Sequence, residues 1–243
     1  MDPRHLDELA VLEETYWWHI AKRKLAASLL TRYFPTPGRL LEGGVGSAGN
    51  LQHFRELGYE VAGFDISDVA VERARSRGLT DVRVHDLTKP WPVGNGSLDV
   101  VVMLDVLEHL SNPVDVLRDV ARTLRPGGGI VVTVPAIPWL FGDWDRALGH
   151  FRRYTSRLLR QQATEAGLNV MSLGHWNSFT LPAAVIVRSW QRLAPRHNRA
   201  AEFPRVGPIT NSLLLCCADM ERWVSSARLP VPCGLSLFAV LMR

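Results

Sequence analysis

A glycine-rich turn followed at a fixed distance by a carboxylate constrains this chain more than any other feature. The segment Arg39-Leu40-Leu41-Glu42-Gly43-Gly44-Val45-Gly46-Ser47-Ala48-Gly49-Asn50 runs from an apolar strand pattern through the turn into a helix pattern beginning near Asn50. Nineteen positions after Gly46, the run VAGFDI reaches Asp65. Glycines in such a turn can serve backbone dihedrals alone. With an acid closing the next strand they make the opening unit of a doubly wound sheet, where the turn admits a ligand to the backbone and the acid accepts hydrogen bonds from ribose hydroxyls.

The rest of the chain continues the pattern. LLEGG, VAGFDI, VRVHDL, LDVVVML and GIVVTVPA read as strands, mostly separated by amphipathic helical stretches, which argues for a parallel sheet with right-handed crossovers. Residues from about Pro3 to Tyr33 have helical spacing until Pro35 and Pro37 interrupt it. After Pro135 comes a long aromatic loop, then a helix over Ser156 to Ala166, a sixth strand over Asn169 to Trp176 and a seventh over Cys233 to Met242. The intervening stretch reads as two helices around a proline-rich loop. At 243 residues the chain suits one α/β domain. It divides into a helical cap (1–35), a cofactor-binding core (36–178), a helical insert (179–232) and a last strand (233–243). The expected fold is α/β, a Rossmann-like doubly wound seven-stranded sheet, mostly parallel with an antiparallel last strand.

Composition narrows the partners. The formal net charge of +4 is scattered along the chain, which leaves no nucleic-acid footprint. Cys216 and Cys217 are adjacent and Cys233 stands alone, so no disulfide framework is expected. The run Leu181 to Val187 is too short to span a bilayer. A cytoplasmic protein without stable membrane insertion is expected, with a homodimer open.

The acid at Glu42 separates two cofactor classes. A dinucleotide site uses G-x-G-x-x-G and seats a pyrophosphate on the helix N-terminus. Here the spacing is Glu42-x-Gly44-x-Gly46, and a carboxylate at that point repels a pyrophosphate but suits a cationic amino group. A nicotinamide-dependent oxidoreductase is therefore disfavoured.

From about residue 36 to residue 178 the sequence resembles the class I S-adenosylmethionine-dependent methyltransferases, in particular bacterial small-molecule members. Glu42-Gly44-Gly46, Asp65, Asp86, the segment Leu104-Asp105-Val106-Leu107-Glu108-His109 and LRPGG over Leu124 to Gly128 carry the resemblance. It implies S-adenosylmethionine as cofactor, with S-adenosylhomocysteine as product, held by Glu42, Gly44, Gly46, Asp65, Ile66, Asp86, Leu87 and Leu104. Val45 and Ala48 depart from the family's usual loop without removing a hydrogen-bonding side chain.

Methyl transfer depends chiefly on alignment and exclusion of water. A hydroxyl or ammonium acceptor must also lose a proton, and His109 and His150 are the candidate bases, the alternative being that both merely order their loops. Trp17, Trp139, Trp144 and Tyr154 are candidates for an acceptor pocket, whereas Trp18 and Trp176 suit packing better. His19, Lys22 or Arg23 could reach the cofactor's carboxylate. No metal is included in the expected set. The expected activity is methylation of a small molecule at O, N or C, in natural-product or lipid biosynthesis. The competing reading is a cofactor-binding, non-catalytic interaction module.

Overall fold

The computed structural model describes residues 12–193, 206–227 and 229–243. The start of the leading helical stretch and most of the proline-rich loop of the insert lie outside them. The elements are α1 (Trp17–Tyr33), β1 (Arg39–Gly43), α2 (Gly49–Glu56), β2 (Glu60–Asp65), α3 (Asp68–Ser76), β3 (Val82–Val84), β4 (Leu98–Leu104), α4 (Pro113–Thr123), β5 (Leu124–Pro135), α5 (Asp143–Ala147), α6 (Ser156–Glu165), β6 (Asn169–Trp176), α7 (Leu181–Leu193), α8 (Pro208–Ser226) and β7 (Ser236–Met242). Single 3-10 turns cover Leu107–His109 and Pro138–Leu140.

The seven strands form one sheet in the order β3-β2-β1-β4-β5-β7-β6. The first five are parallel, and β7 inserts antiparallel between β5 and β6. Because β1 pairs with β2 on one side and β4 on the other, the chain reverses its winding there. That reversal opens a crevice beyond the C-terminal ends of β1 and β4, where open α/β sheets bind ligands.

Adjacent residues of the central strands serve opposite layers, which is why β4 reads as an unbroken apolar run. Val101 and Met103 join Leu41, Ile130 and Val132 under α4 and α6. Val100 and Val102 join Leu40 and Val131 in the other layer, with Leu25, Leu30, Leu51 and Val71 of α1, α2 and α3. Each such side chain contributes on the order of 1.5–3 kcal/mol on burial. Local signals agree with the elements: Ser67 and Thr155 cap α3 and α6 by accepting from Ala70 N and Leu158 N, and Pro113 opens α4.

Two strands are shorter than the sequence suggests. β3 stops at Val84, because Asp86 turns the chain by accepting from Thr88 N, and β7 starts at Ser236, opposite Pro135. The insert does contain two helices. The inner face of α8 is stitched to the body: its Glu221 carboxylate accepts from Asn177 N and Ser178 N at 2.7 and 2.9 Å, and Asn211 Oδ1 accepts from Trp17 N at 2.9 Å. No helix among the described residues is long and apolar enough to cross a membrane.

Candidate functional site

The turn after β1 is built to bring backbone to a ligand. Gly44, Gly46 and Ala48 all have positive φ, at 81°, 56° and 67°. A Cβ on Gly44 would stand 2.8 Å from the Val106 side chain, so that position is closed to larger residues by space as well as by conformation. Asp65 ties the turn to the end of β2, accepting from Gly46 N through Oδ2 and from Ser67 N through Oδ1, both at 2.9 Å. It is half-buried, and its remaining lone pairs are available for hydroxyls.

Glu42, the penultimate residue of β1, is almost fully buried, with Oε2 lacking a partner among the described residues. Burial pushes its carboxyl well above the usual carboxylate range, and nearby Glu13 and Asp65 push it further. A cationic amino group placed there would supply the missing partner. Glu13 itself went unnoticed in the sequence. Its carboxylate accepts from Ser47 Oγ and from Gly49 N at the start of α2, while Arg23 donates to its backbone carbonyl and to that of Gly49. Three acids thus surround the turn, which suits a cationic ligand and opposes a pyrophosphate.

The other residues expected at the cofactor lie around the same crevice. Ile66, directly after Asp65, is exposed as an apolar platform. Asp86 follows β3 in a turn, where hydrogen bonds from Thr88 hold its carboxyl below the usual aspartate range. The side chains of Leu87 and Leu104 are buried in the two core layers, so their contribution toward the crevice is through backbone.

Past β4 the backbone of Asp105 takes a positive φ of 56°, and its carboxylate accepts from Lys22 Nζ at 2.8 Å and Thr133 Oγ1 at 2.9 Å. Burial acts to raise the Asp105 pKa, but Lys22 overrides it and the net shift is downward. Lys22 is therefore spent on Asp105, Arg23 on the Glu13 and Gly49 carbonyls, and His19 is buried and held neutral, its pKa lowered to about 3 chiefly by burial. All three are engaged in packing the first helix against the glycine turn and the end of β4.

His109 and His150, far apart in sequence, meet edge to face with ring centroids 4.6 Å apart. His109 is lowered to about 4, first by burial and then by His150, so it is neutral near pH 7. Nδ1 of His150 lies 3.2 Å from Oδ1 of Asp145, a fully buried carboxylate that also accepts from Arg153 Nε at 2.7 Å and Gly142 N at 3.0 Å. An acceptor on Nδ1 fixes the proton there and leaves Nε2 as the basic nitrogen. Glu108 places a carboxylate oxygen with one nitrogen of each histidine, all within 4.8 Å of one another, a grouping that could hold a cation. Burial and the neighbouring Asp105 raise Glu108 well above the carboxylate range, which favours its neutral acid form.

The aromatic loop is folded back on the sheet rather than loose. Phe151 N donates to Glu108 O, and Tyr154 bridges to Ala136. Tyr154, expected in the pocket wall, is instead fully buried core, its hydroxyl donating to Leu107 O at 3.2 Å. Trp17 is likewise buried, packed between Trp18 and Phe179 at the root of the insert, and Trp18 stacks on Trp176 at 4.6 Å. Trp139 is exposed and Trp144 half-buried in the loop that carries the Asp145 hub.

Comparison with known proteins agrees with this geometry. The methyltransferase domain family matches residues 17–173. A ubiquinone biosynthesis O-methyltransferase of Xanthomonas oryzae is 31% identical over 100 residues, covering 39% of this chain and 42% of that protein. A malonyl-acyl-carrier-protein O-methyltransferase of Enterobacter lignolyticus is 28% identical over 148 residues, covering 60% and 57%. The chain thus spans about half the length of these relatives. A solved S-adenosylmethionine-dependent methyltransferase from Mesorhizobium loti superposes with a TM-score of 0.61 at 15% identity, covering 92% of this chain and 98% of that one. With a seven-stranded sheet in this order and a family match over most of its length, the chain belongs to the S-adenosylmethionine-dependent methyltransferase domain family.

Proposed function

We propose that this protein methylates an oxygen of a small-molecule acceptor, with His150 as the group that takes the acceptor's proton. The observation that carries this reading is the contact between His150 Nδ1 and the buried Asp145, because a base aligned by a carboxylate is what a neutral hydroxyl needs. Both relatives described above are named O-methyltransferases.

The residues present fit the cofactor: Oε2 of Glu42 needs a cationic donor, Asp65 can accept from a ribose, Asp86 from an exocyclic amine, and Ile66 offers a flat apolar contact. S-adenosylmethionine, when bound, supplies an electrophilic methyl group on a sulfonium. Everything else falls to the chain. The turn from Gly44 to Ala48 fixes where the methionyl part lies, and Asp105, locked by Lys22 and Thr133, shapes the end of β4. His150 accepts the acceptor proton at Nε2, and His109, neutral and in edge contact, keeps the second face of the site polar without a competing charge. The loop from Ile137 to His150, which carries both Asp145 and His150, would exclude water by closing over the bound acceptor.

Testing this means measuring turnover of candidate hydroxyl acceptors by wild type and His150→Gln. The variant should bind S-adenosylmethionine normally and lose roughly 10²–10⁴-fold in kcat. Full turnover in that variant would exclude His150 as the base. If no acceptor from an untargeted metabolite extract is methylated by protein that binds the cofactor, the methylation reading itself falls.

A further inference from the structure

Glu13 reaches the glycine-rich turn from outside the sheet. It belongs to the short stretch 12–16 just before α1 and is nine-tenths buried. Its Oε2 accepts from Ser47 Oγ and from Gly49 N, the latter at 3.2 Å. Room for this approach exists only because residue 49 is glycine, since a Cβ there would stand 2.5 Å from Oε2. Arg23 of α1 secures it by donating to the backbone carbonyls of both Glu13 and Gly49. The carboxylate is thus held against the turn from two elements at once.

Those hydrogen bonds occupy Oε2 alone. Oε1 faces the middle of the turn, 3.9 Å from the place a Cβ on Gly46 would take. Close by is Glu42, 1% exposed, whose Oε2 has no partner among the described residues. After burial itself, Glu13 is the strongest influence raising the Glu42 carboxyl, so the two acids are near enough to repel. The neighbouring cations are committed elsewhere: Lys22 bonds Asp105, and Arg23 meets carbonyls rather than either carboxylate. Two acids gathered in a largely dry place, with no cation bonded to either carboxylate among the described residues, cost stability until one arrives. An ammonium carries three N–H donors, enough to meet Glu42 Oε2 and Glu13 Oε1 together.

We propose that Glu13 is a cofactor-binding residue, the second carboxylate of a two-acid site, shared with Glu42, for the methionyl ammonium of S-adenosylmethionine. Because Glu13 lies ahead of α1, the same contact tightens the leading segment on the turn when the cofactor binds. This holds whichever acceptor atom is methylated and does not involve His150.

The competing role for Glu13 is that of a cap on α2 that never meets the ligand, and Glu13→Gln separates the two. The amide oxygen can still accept from Ser47 and Gly49, while the charge is gone. Circular dichroism checks the fold of the variant, and calorimetric titration compares S-adenosylhomocysteine with its deaminated analogue, which lacks only the ammonium. Glu13→Gln should lose about 10- to 100-fold in affinity for S-adenosylhomocysteine, the scale of a charge-assisted contact, and less than about 3-fold for the analogue. Equal losses for both ligands, or none for either, make Glu13 a cap only and overturn the proposal. In wild type, amide exchange over residues 12–16 should slow with S-adenosylhomocysteine and not with the analogue. Equal slowing by both ligands, or by neither, also overturns it, and this measurement stands even if the variant does not fold.

Discussion

Lys22 of α1 and Asp105 at the end of β4 form a largely buried ion pair, 2.8 Å between Nζ and Oδ2, that joins the first helix to the edge of the crevice. Neither charge could remain there alone, and a further bond from Thr133 completes the Asp105 coordination. The pair makes α1 a wall of the site, so access to the crevice depends on a contact between residues 83 positions apart.

Lys22→Met should therefore destabilise the fold by about 3 kcal/mol, by stranding the Asp105 charge. Adding Asp105→Asn should recover most of the loss. Chemical denaturation of the three proteins checks this, and equal stability of the single variant and wild type would mean that solvent reaches the pair. The Asp105 pKa is depressed in the folded state, so its contribution is present above the ordinary aspartate pKa of about 4 and is lost as pH falls through the lower folded value.

Asp65→Ala should weaken S-adenosylmethionine binding by about 1.5–3 kcal/mol, the scale of lost hydrogen bonds to a charged acceptor. Because Asp65 also receives Gly46 N and Ser67 N, the turn should loosen, visible as faster amide exchange at those two residues. Calorimetric titration that finds unchanged affinity in a folded variant removes Asp65 from the site.

Burial holds Glu42 well above the usual carboxylate range, whereas a bound ammonium favours its ionised form. S-adenosylmethionine binding should then release a proton from Glu42, and affinity should rise with pH up to its shifted pKa. Calorimetry near pH 7 in buffers of different ionisation enthalpy measures the release. It should vanish in Glu42→Gln, with weaker binding; the same release in that variant would assign the proton to another group.

Most of the sheet and the turn were legible because they depend on local rules. An apolar run followed by E-x-G-x-G fixes a strand and its turn, and an acid closing the next strand sits at a set distance. Groups that reach the site from elsewhere gave no such signal. Glu13 is one acid in an amphipathic stretch, and only the packing of α1 brings it to Ser47 and Gly49. Asp145 sits in a loop that reads as exposed, yet its carboxylate is fully buried by Arg153, His150 and Arg188. Tyr154 misled for the converse reason: an aromatic in a loop reads as pocket wall, but the loop folds back and its hydroxyl satisfies Leu107 O.

Asp145→Asn should lower kcat by roughly 10–100-fold with little change in cofactor affinity, because an amide no longer fixes the proton on His150 Nδ1. Turnover should be insensitive to EDTA if the histidines act unaided. Loss of turnover on chelation, restored by one divalent ion, would instead assign Glu108, His109 and His150 to a metal.

The last expectation concerns Trp139, exposed, and Trp144, half-buried, both on the loop after β5. Their loop is pinned through Asp145, whose carboxylate meets Gly142 N at the start of α5 and Arg188 of α7 at 3.7 Å, so the segment can hold an acceptor without carrying the fold. Glu42, Asp65 and Asp86, expected at the cofactor, lie on β1, at the end of β2 and just after β3, the three strands on the opposite side of β4 from β5. Replacing both tryptophans with Ala should then raise the acceptor's KM or lower kcat and leave S-adenosylmethionine affinity nearly unchanged. The two effects must separate. If the double variant unfolds, the tryptophans are core in the way Tyr154 proved to be. If it is folded with unaltered kinetics, the acceptor enters elsewhere, beneath the insert where Trp17 packs on Phe179.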